Sequence, residues 1–174
     1  LVIVAKTDLA HTRLSAALKN RKIDKKYLAL VHGIPSRLSS EIKFPIGRHP
    51  RHRTKMAVVN SGKNAFTSYR VMAHSNNFSL LSVNLKTGRT HQIRVHLHHI
   101  RHSVVCDAVY TYRDNLKSSD REINGHLKKI LSRQALHARS LKFKHPISSK
   151  EISVFSELPI DFKNALNFVG ISFE

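Results

Sequence analysis

Apolar residues recur at two different periods along this chain, and each change of period marks the edge of an element. The first residues form an unbroken apolar run, Leu1-Val2-Ile3-Val4-Ala5, which reads as the middle of a strand. Thr7 then caps a helix with Asp8 in its first turn, along which Ala10, Leu14, Ala17 and Leu18 return at helical spacing. From Lys26 to Gly33 the period shortens to two, with Tyr27, Ala29 and Val31 on one face and Leu28 and Leu30 on the other. Both faces are apolar, so this strand should be covered at least partly on each side. Between Arg37 and Val59 the chain is basic and punctuated by proline, which predicts an exposed loop rather than a buried element.

Two more alternating runs, Phe66 to Ala73 and Phe78 to Leu85, meet at Ser75-Asn76-Asn77 and predict an antiparallel hairpin. Lys86-Thr87-Gly88-Arg89 breaks the alternation. Thr90 then opens a helix with Ile93, Leu97 and Ile100 on one face and His91, Arg94 and His98 on a more polar one. Thr111 to Arg133 is polar and weakly patterned, predicting a mobile connection with at most a short helix near His126 to Leu131. Strands from Leu136 to Phe143 and Glu151 to Ser156 turn at His145-Pro146. A last helix has Pro159 in its first turn and carries Phe162, Leu166 and Phe168. Strands outnumber helices and their links are short. The expected class is α+β, a mixed, largely antiparallel sheet with packed helices, in one domain spanning residues 1–174.

Composition sharpens this picture. A chain of 174 residues with 41% hydrophobic content can bury one ordinary core without disulfides or metal. Its 30 Lys and Arg against 11 Asp and Glu give a formal charge of +19, more than solubility requires, and point to a polyanionic partner. A membrane-surface protein should show a Lys/Arg-faced amphipathic helix or a spanning apolar run, and neither occurs. Nucleic acid is the expected partner. Cys106 is the only cysteine, which excludes an internal disulfide and a multi-cysteine zinc site and suits a reducing, cytoplasmic setting. Gly-rich phosphate loops are missing, against a nucleotide-hydrolysing enzyme.

The densest candidate chemistry is Leu85 to Leu97, where a glycine turn sets Arg89 just before a helix start. A guanidinium fork beside free helix amides favours an anion, although a capped helix with a solvated basic face fits the spacing as well. His91, His96, His98, His99 and His102 lack the acidic partners and spacing of a recognised metal motif, so structural or RNA-contacting roles are expected, with no metal and no cofactor. Tyr27, flanked by Lys25 and Lys26, could stack on a base or simply pack in the core. Arg48, Arg51, Arg53 and Lys55 form the best basic patch, suited to phosphate contact, and His91 and Arg94 are further candidates for RNA contact.

Taken in order, these segments resemble the RluA-type RNA pseudouridine synthases. Lys26-Tyr27-Leu28-Ala29 is similar to the family's tyrosine motif, Gly47-Arg48-His49-Pro50 with Lys55-Met56 to its basic loop, and Thr87-Gly88-Arg89-Thr90-His91-Gln92-Ile93-Arg94-Val95-His96 to its most specific signature. Gln134-Ala135-Leu136-His137-Ala138 and Leu158-Pro159-Ile160-Asp161-Phe162 resemble its closing motifs. The resemblance implies part of the pseudouridine synthase catalytic fold and cofactor-free isomerisation of a uridine in RNA. Ribosomal RNA is favoured, transfer RNA is the alternative, and no obligate protein partner is implied. By the same resemblance Tyr27 stacks on the uracil and serves as a candidate base at C5, Arg89 ion-pairs the nucleophilic aspartate, and Leu136 walls the uracil pocket.

The family's nucleophile lies in a His-Arg-Leu-Asp segment that should precede Leu1, so the 174 residues alone are expected to be inactive and to be the truncated part of a longer enzyme. Asp8, Asp24 and Asp107 match no nucleophile position. Cys106 and Arg101 stand where the family commonly has glycine. A non-catalytic RNA-binding protein on the same scaffold is the competing reading, and a small basic ribosome-associated protein a third.

Overall fold

A computed structural model describes residues 1–111 and 118–173. Helix α1 spans Asp8–Lys19 and is followed by strands β1 Asp24–His32, β2 Ser39–Ile42, β3 Ile46–Arg48, β4 Met56–Val58, β5 Thr67–Ser75 and β6 Phe78–Leu85. Then come α2 Gln92–His99, α3 Ser118–Ile130, β7 Leu136–Lys144, β8 Glu151–Phe155 and α4 Ile160–Phe168. Six strands form one sheet in the order β2-β5-β6-β1-β7-β8, while β3 and β4 pair separately. Every described pairing is antiparallel, so the α+β class holds and the sheet is antiparallel throughout rather than mixed.

β1 sits inside the sheet with Leu28, Ala29, Leu30 and Val31 all buried, as its two apolar faces require. The main core joins them to Leu80, Leu81 and Val83 of β6, Ile93 and Leu97 of α2, and Phe162 and Leu166 of α4. Phe168, in contrast, is 45% exposed, its ring 6.0 Å from that of His126. No helix among the described residues is long and apolar enough to cross a membrane.

Three expectations change. Leu1 to Ala5 joins no sheet: Val2 is 85% and Val4 77% exposed, while Ile3 and Ala5 lean on the small cluster of Leu14, Ile23 and Leu141. The basic segment from Arg37 to Val59 is not one loop. Ile42 and Ile46 are buried, and they anchor an edge strand and a small hairpin whose tip, residues 49–55, is the exposed part. The polar connection carries the 13-residue α3, seated by Leu127 and followed by buried Leu131, where only a short helix was expected. Residues 112–117 of the expected mobile connection lie outside the described residues.

Three helices end in the same backbone motif. After α1, α2 and α4 the chain passes through a left-handed residue, Arg21, Arg101 and Gly170 respectively, with φ of 57°, 69° and 72°. In each case the next amide bonds back five residues along the chain: Lys22 to Ala17, His102 to Leu97 and Ile171 to Leu166. Glycine adopts this conformation without a Cβ penalty and arginine does not. The Gly-type turn is thus retained at Arg101 and also at Cys106, whose φ is 58°. Replacing the exposed Arg101 by glycine should therefore stabilise the protein by about 0.5–1 kcal/mol, the left-handed penalty less glycine's extra chain entropy. Thermal unfolding checks this, with an expected rise of roughly 2 °C. An unchanged or lower Tm would show that the arginine side chain contributes more than its backbone costs.

Candidate active site

The register of the sheet brings the two principal candidates to one face. Tyr27 pairs with Val83, and Val83 with Tyr69, so these three side chains share a face with Thr67, two residues before Tyr69. Thr67 bonds Gln92 and His96 of α2, which places α2 and the loop before it on the Tyr27 side. Lys25, on the same side of β1 as Tyr27 by strand alternation, brings Nζ to within 3.5 Å of where a Cβ on Gly88 would stand. Tyr27 is half-buried, and that burial pushes its phenol above the ordinary value. Beside it β7 bulges: Lys26 pairs with Ser140 but Tyr27 with Ala138, leaving Arg139 as the extra residue. Leu136, the expected wall of the uracil pocket, packs partly buried against the main core. Its carbonyl faces Arg133, which is itself held by Asp161 at the start of α4 through two bonds of 3.1 and 3.0 Å.

Gln92 organises the Arg89 loop. Its Oε1 accepts from the Thr87 hydroxyl at 2.7 Å and from the Arg89 amide at 3.0 Å. Its Nε2 donates to the Phe66 carbonyl and to Thr67 Oγ1, each at 2.9 Å. Every hydrogen-bonding position of the side chain is used, and the side chain is buried. Thr87 also accepts from the Phe66 amide at 2.8 Å, so the loop is tied to β5 twice. Arg89 itself is exposed, with Nε donating to the Asn64 carbonyl at 3.1 Å and neither terminal nitrogen bonded to a described residue. Its two-pronged edge remains available to an anion.

α2 starts from His91 rather than from Thr90. His91 is the cap residue, left-handed at φ 55°, and no side chain caps the helix. Its Nδ1 lies 2.9 Å from the Tyr110 hydroxyl, which also accepts from the Met56 amide at 2.9 Å. Tyr110 thereby bridges the basic hairpin to the Arg89 loop. Arg94, a candidate for RNA contact, is committed elsewhere: Nε and Nη2 bond Asp107 at 2.6 and 2.7 Å, with the side chain 12% exposed against 0% for Asp107. Asp107 Oδ1 accepts in addition from the amides of Val109 and Tyr110.

Arg51 and Arg53 stand exposed on the β3–β4 tip, with Lys55 half-covered at its base. The tip is ordered by its own bonds. His49 Nδ1 accepts from the amides of Arg51 and His52 at 3.1 Å each, and Arg48 donates to the Arg53 carbonyl at 3.3 Å.

The clustered histidines are engaged one by one with other parts of the fold. His96 donates from Nε2 to the Phe44 carbonyl and accepts at Nδ1 from Thr67, both at 2.9 Å. His98 bonds Ser103, His102 bonds the His32 carbonyl, and His99 lies edge-on to Phe44 at 4.4 Å. Among the described residues no group of three or more His, Cys, Asp and Glu is placed to hold a metal ion. Burial lowers the pKa of His91, His96, His98 and His137 below 6.5. Below that pH the unfolded chain takes up protons that the folded chain resists, so stability is full above about 6.5 and falls as the pH drops. Tm should accordingly decline between pH 7.5 and 5, with a shallower decline in His96→Gln. A flat Tm across that range would contradict the burial of these imidazoles.

Sequence reasoning missed Tyr110, Gln92, Thr67 and the structural use of Asp107. One signal was present: an Asp bonding amides two and three residues onward is a common turn device, and it puts Tyr110 at a fixed place.

Three comparisons bear on this arrangement. A sequence model described as RNA pseudouridylate synthase matches residues 1–99. The chain is 41% identical over 162 residues to the ribosomal large subunit pseudouridine synthase D of Haemophilus ducreyi, covering 93% of this chain and 50% of that protein. It is 40% identical over 174 residues to the protein of the same name from Escherichia coli, covering 100% and 53%. It thus spans about half the length of the curated relatives it matches. The solved structure of human RNA pseudouridylate synthase domain containing 1 superposes with a TM-score of 0.71 at 28% identity, over 90% of this chain and 63% of that one. The human domain containing 4 protein, at 22% identity and TM-score 0.72, shares the fold over 97% of this chain and 70% of its own. With its signature residues held by Gln92 on the Tyr27 face of such a fold, this chain belongs to the RNA pseudouridylate synthase family.

Proposed function

We propose that this chain supplies the tyrosine and arginine of an RNA pseudouridine synthase acting on uridines of large-subunit ribosomal RNA, as the names of its bacterial relatives suggest. The observation that carries this reading is the common placement of Tyr27 and the Gln92-held Arg89 loop on one sheet face, with the outer edge of Arg89 unpaired among the described residues. In the reaction the N1–C1′ bond breaks, a C5–C1′ bond forms, the C5 proton leaves and N1 gains one. Tyr27 offers a stacking face to a uracil turned out of its RNA, which compensates for lost base stacking. Its raised pKa keeps it a phenol at neutral pH, which suits stacking better than proton abstraction.

No described aspartate is placed to pair with Arg89. Asp107 is taken by Arg94 and Asp161 by Arg133, Asp8 lies in the first turn of α1, and Asp24 opens β1. By its resemblance to the family, whose nucleophile lies ahead of the strand that Leu1 to Thr7 resembles, the nucleophile is proposed to come from a segment preceding Leu1, docking its carboxylate on the edge of Arg89 that no described residue bonds. The test is tritium release from C5-labelled uridine in ribosomal RNA. The 174-residue chain should release none, and the same chain preceded by an aspartate-bearing segment of a relative should release tritium. Turnover by the 174 residues alone would refute the assignment of the nucleophile. Tight RNA binding without release by the longer protein would favour a binding module.

A further inference from the structure

A cleft of about 370 Å³ lies between the β3–β4 tip and α2, and Tyr27 is not among its lining residues. From the hairpin His49, His52 and Lys55 line it, from α2 His98 and His99, and Tyr110 lines it as well. Among the described residues no carboxylate lines it. Asp107, the nearest acid in sequence, has its charge matched by Arg94. The lining is fixed: His49 is pinned by two amides of its own turn, His98 by Ser103, and His99 by the Phe44 ring. The hairpin holds its distance because Gly62 lets the chain cross closely over β3; a Cβ there would lie 2.5 Å from the Ile46 carbonyl carbon.

Flat imidazole faces beside a lysine, in a volume at the lower end of the roughly 300–1,000 Å³ typical of small-ligand sites, suit a stacked base with its phosphate. The cleft is also joined to the catalytic loop. Tyr110 Oη holds His91, two residues beyond Arg89, on one side and the Met56 amide on the other. We propose that this cleft binds one unpaired nucleotide of the RNA near the target uridine, its base between the histidines of the hairpin and those of α2 and its phosphate on Lys55. This inference rests on the reading of the chain as RNA-binding, and it adds a second base site to the uracil pocket.

The experiment measures anisotropy of a labelled oligouridylate and of an abasic ribose-phosphate oligomer of the same length, each titrated with the 174-residue chain. The variants are His52→Ala, Ala57→Phe, which fills the cleft, Lys55→Ala, and Lys150→Ala as a distant cation. The wild type should prefer the base-bearing oligomer by about five-fold or more, the low end for one base stacked on an aromatic side chain. His52→Ala and Ala57→Phe should each shrink that preference, Lys55→Ala should weaken both oligomers, and Lys150→Ala should leave the preference unmoved. Thermal melts identify any misfolded Ala57→Phe protein, in which case His52→Ala decides. A preference unchanged in the cleft variants, or shifted equally by Lys150→Ala, would overturn the proposal while leaving RNA binding intact. Displacement by polyglutamate as readily as by oligouridylate would point to an acidic peptide instead and overturn it too. Absence of binding to either oligomer would defeat this inference and the RNA reading together.

Discussion

Arg89→Met, made in a protein that also carries the aspartate, should lower the single-turnover rate by two to three orders of magnitude with RNA affinity nearly unchanged. Methionine keeps the bulk of the arginine stem and removes the charge. Once uracil and the incoming segment cover the site, the carboxylate would be left without its cation, a loss of about 3–5 kcal/mol for a buried pair broken on one side. A carboxylate in that position takes up a proton more readily, and the protonated form is no nucleophile. The backbone should change little, because the Arg89 amide bond to Gln92 stays in place and only the Nε bond to the Asn64 carbonyl is lost with the charge. Arg51→Ala on the exposed tip should behave oppositely, weakening binding while sparing chemistry at saturating enzyme. A fully active Arg89→Met protein, or equal chemical defects in both variants, would mean that the active site lies elsewhere.

Asp107→Asn should be the most damaging conservative change to the fold, costing about 3–5 kcal/mol and lowering Tm by roughly 10 °C. Burial alone would raise the Asp107 pKa. The Arg94 guanidinium and the amides of Tyr110 and Val109 outweigh it and hold the carboxyl below its ordinary value. The amide has the same shape but no charge, and its NH₂ would face either the guanidinium or the two backbone amides, all of them donors. Arg94 would then sit largely buried without a counter-charge. The damage should spread through Tyr110 to Met56, so the basic hairpin would loosen before the main sheet. Denaturation by heat, read alongside proteolysis of the 49–55 tip, measures both effects. A variant melting within a couple of degrees of the parent would show that the pair is replaceable.

What could be read from the chain follows from where each signal is stored. β1, β5 and β6 were legible because alternation over eight or nine residues is a local property, as is the Thr7 cap of α1, whose hydroxyl accepts from the Ala10 amide at 3.2 Å. β2, β3 and β4 run three or four residues each, too short to show a period, and their burial depends on Ile42 and Ile46 meeting residues far along the chain. For α3 the pattern Ile123, Leu127 and Ile130 exists at helical spacing, but charged and polar residues dilute it. Leu1 to Ala5 shows the converse: an apolar run makes a strand only where a neighbour offers an open edge. In the site, the grouping of Tyr27 with Arg89 came from family resemblance, since nothing in spacing joins residues 27 and 89. The Gln92 network was invisible, because its partners at Phe66, Thr67 and Thr87 are set by the packing of α2 on β5.

The position of β1 inside the sheet has a kinetic consequence. With β6 and β7 on its two sides, the β1 backbone around Tyr27 can open to solvent only when the sheet itself separates. The Arg89 amide has no such protection, since a single side-chain acceptor holds it at an exposed loop. The two halves of the candidate site therefore belong to different cooperative units, one exchanging with global unfolding and the other with local fraying. The Arg89 amide should accordingly exchange with solvent many times before the β1 amides around Tyr27 exchange once.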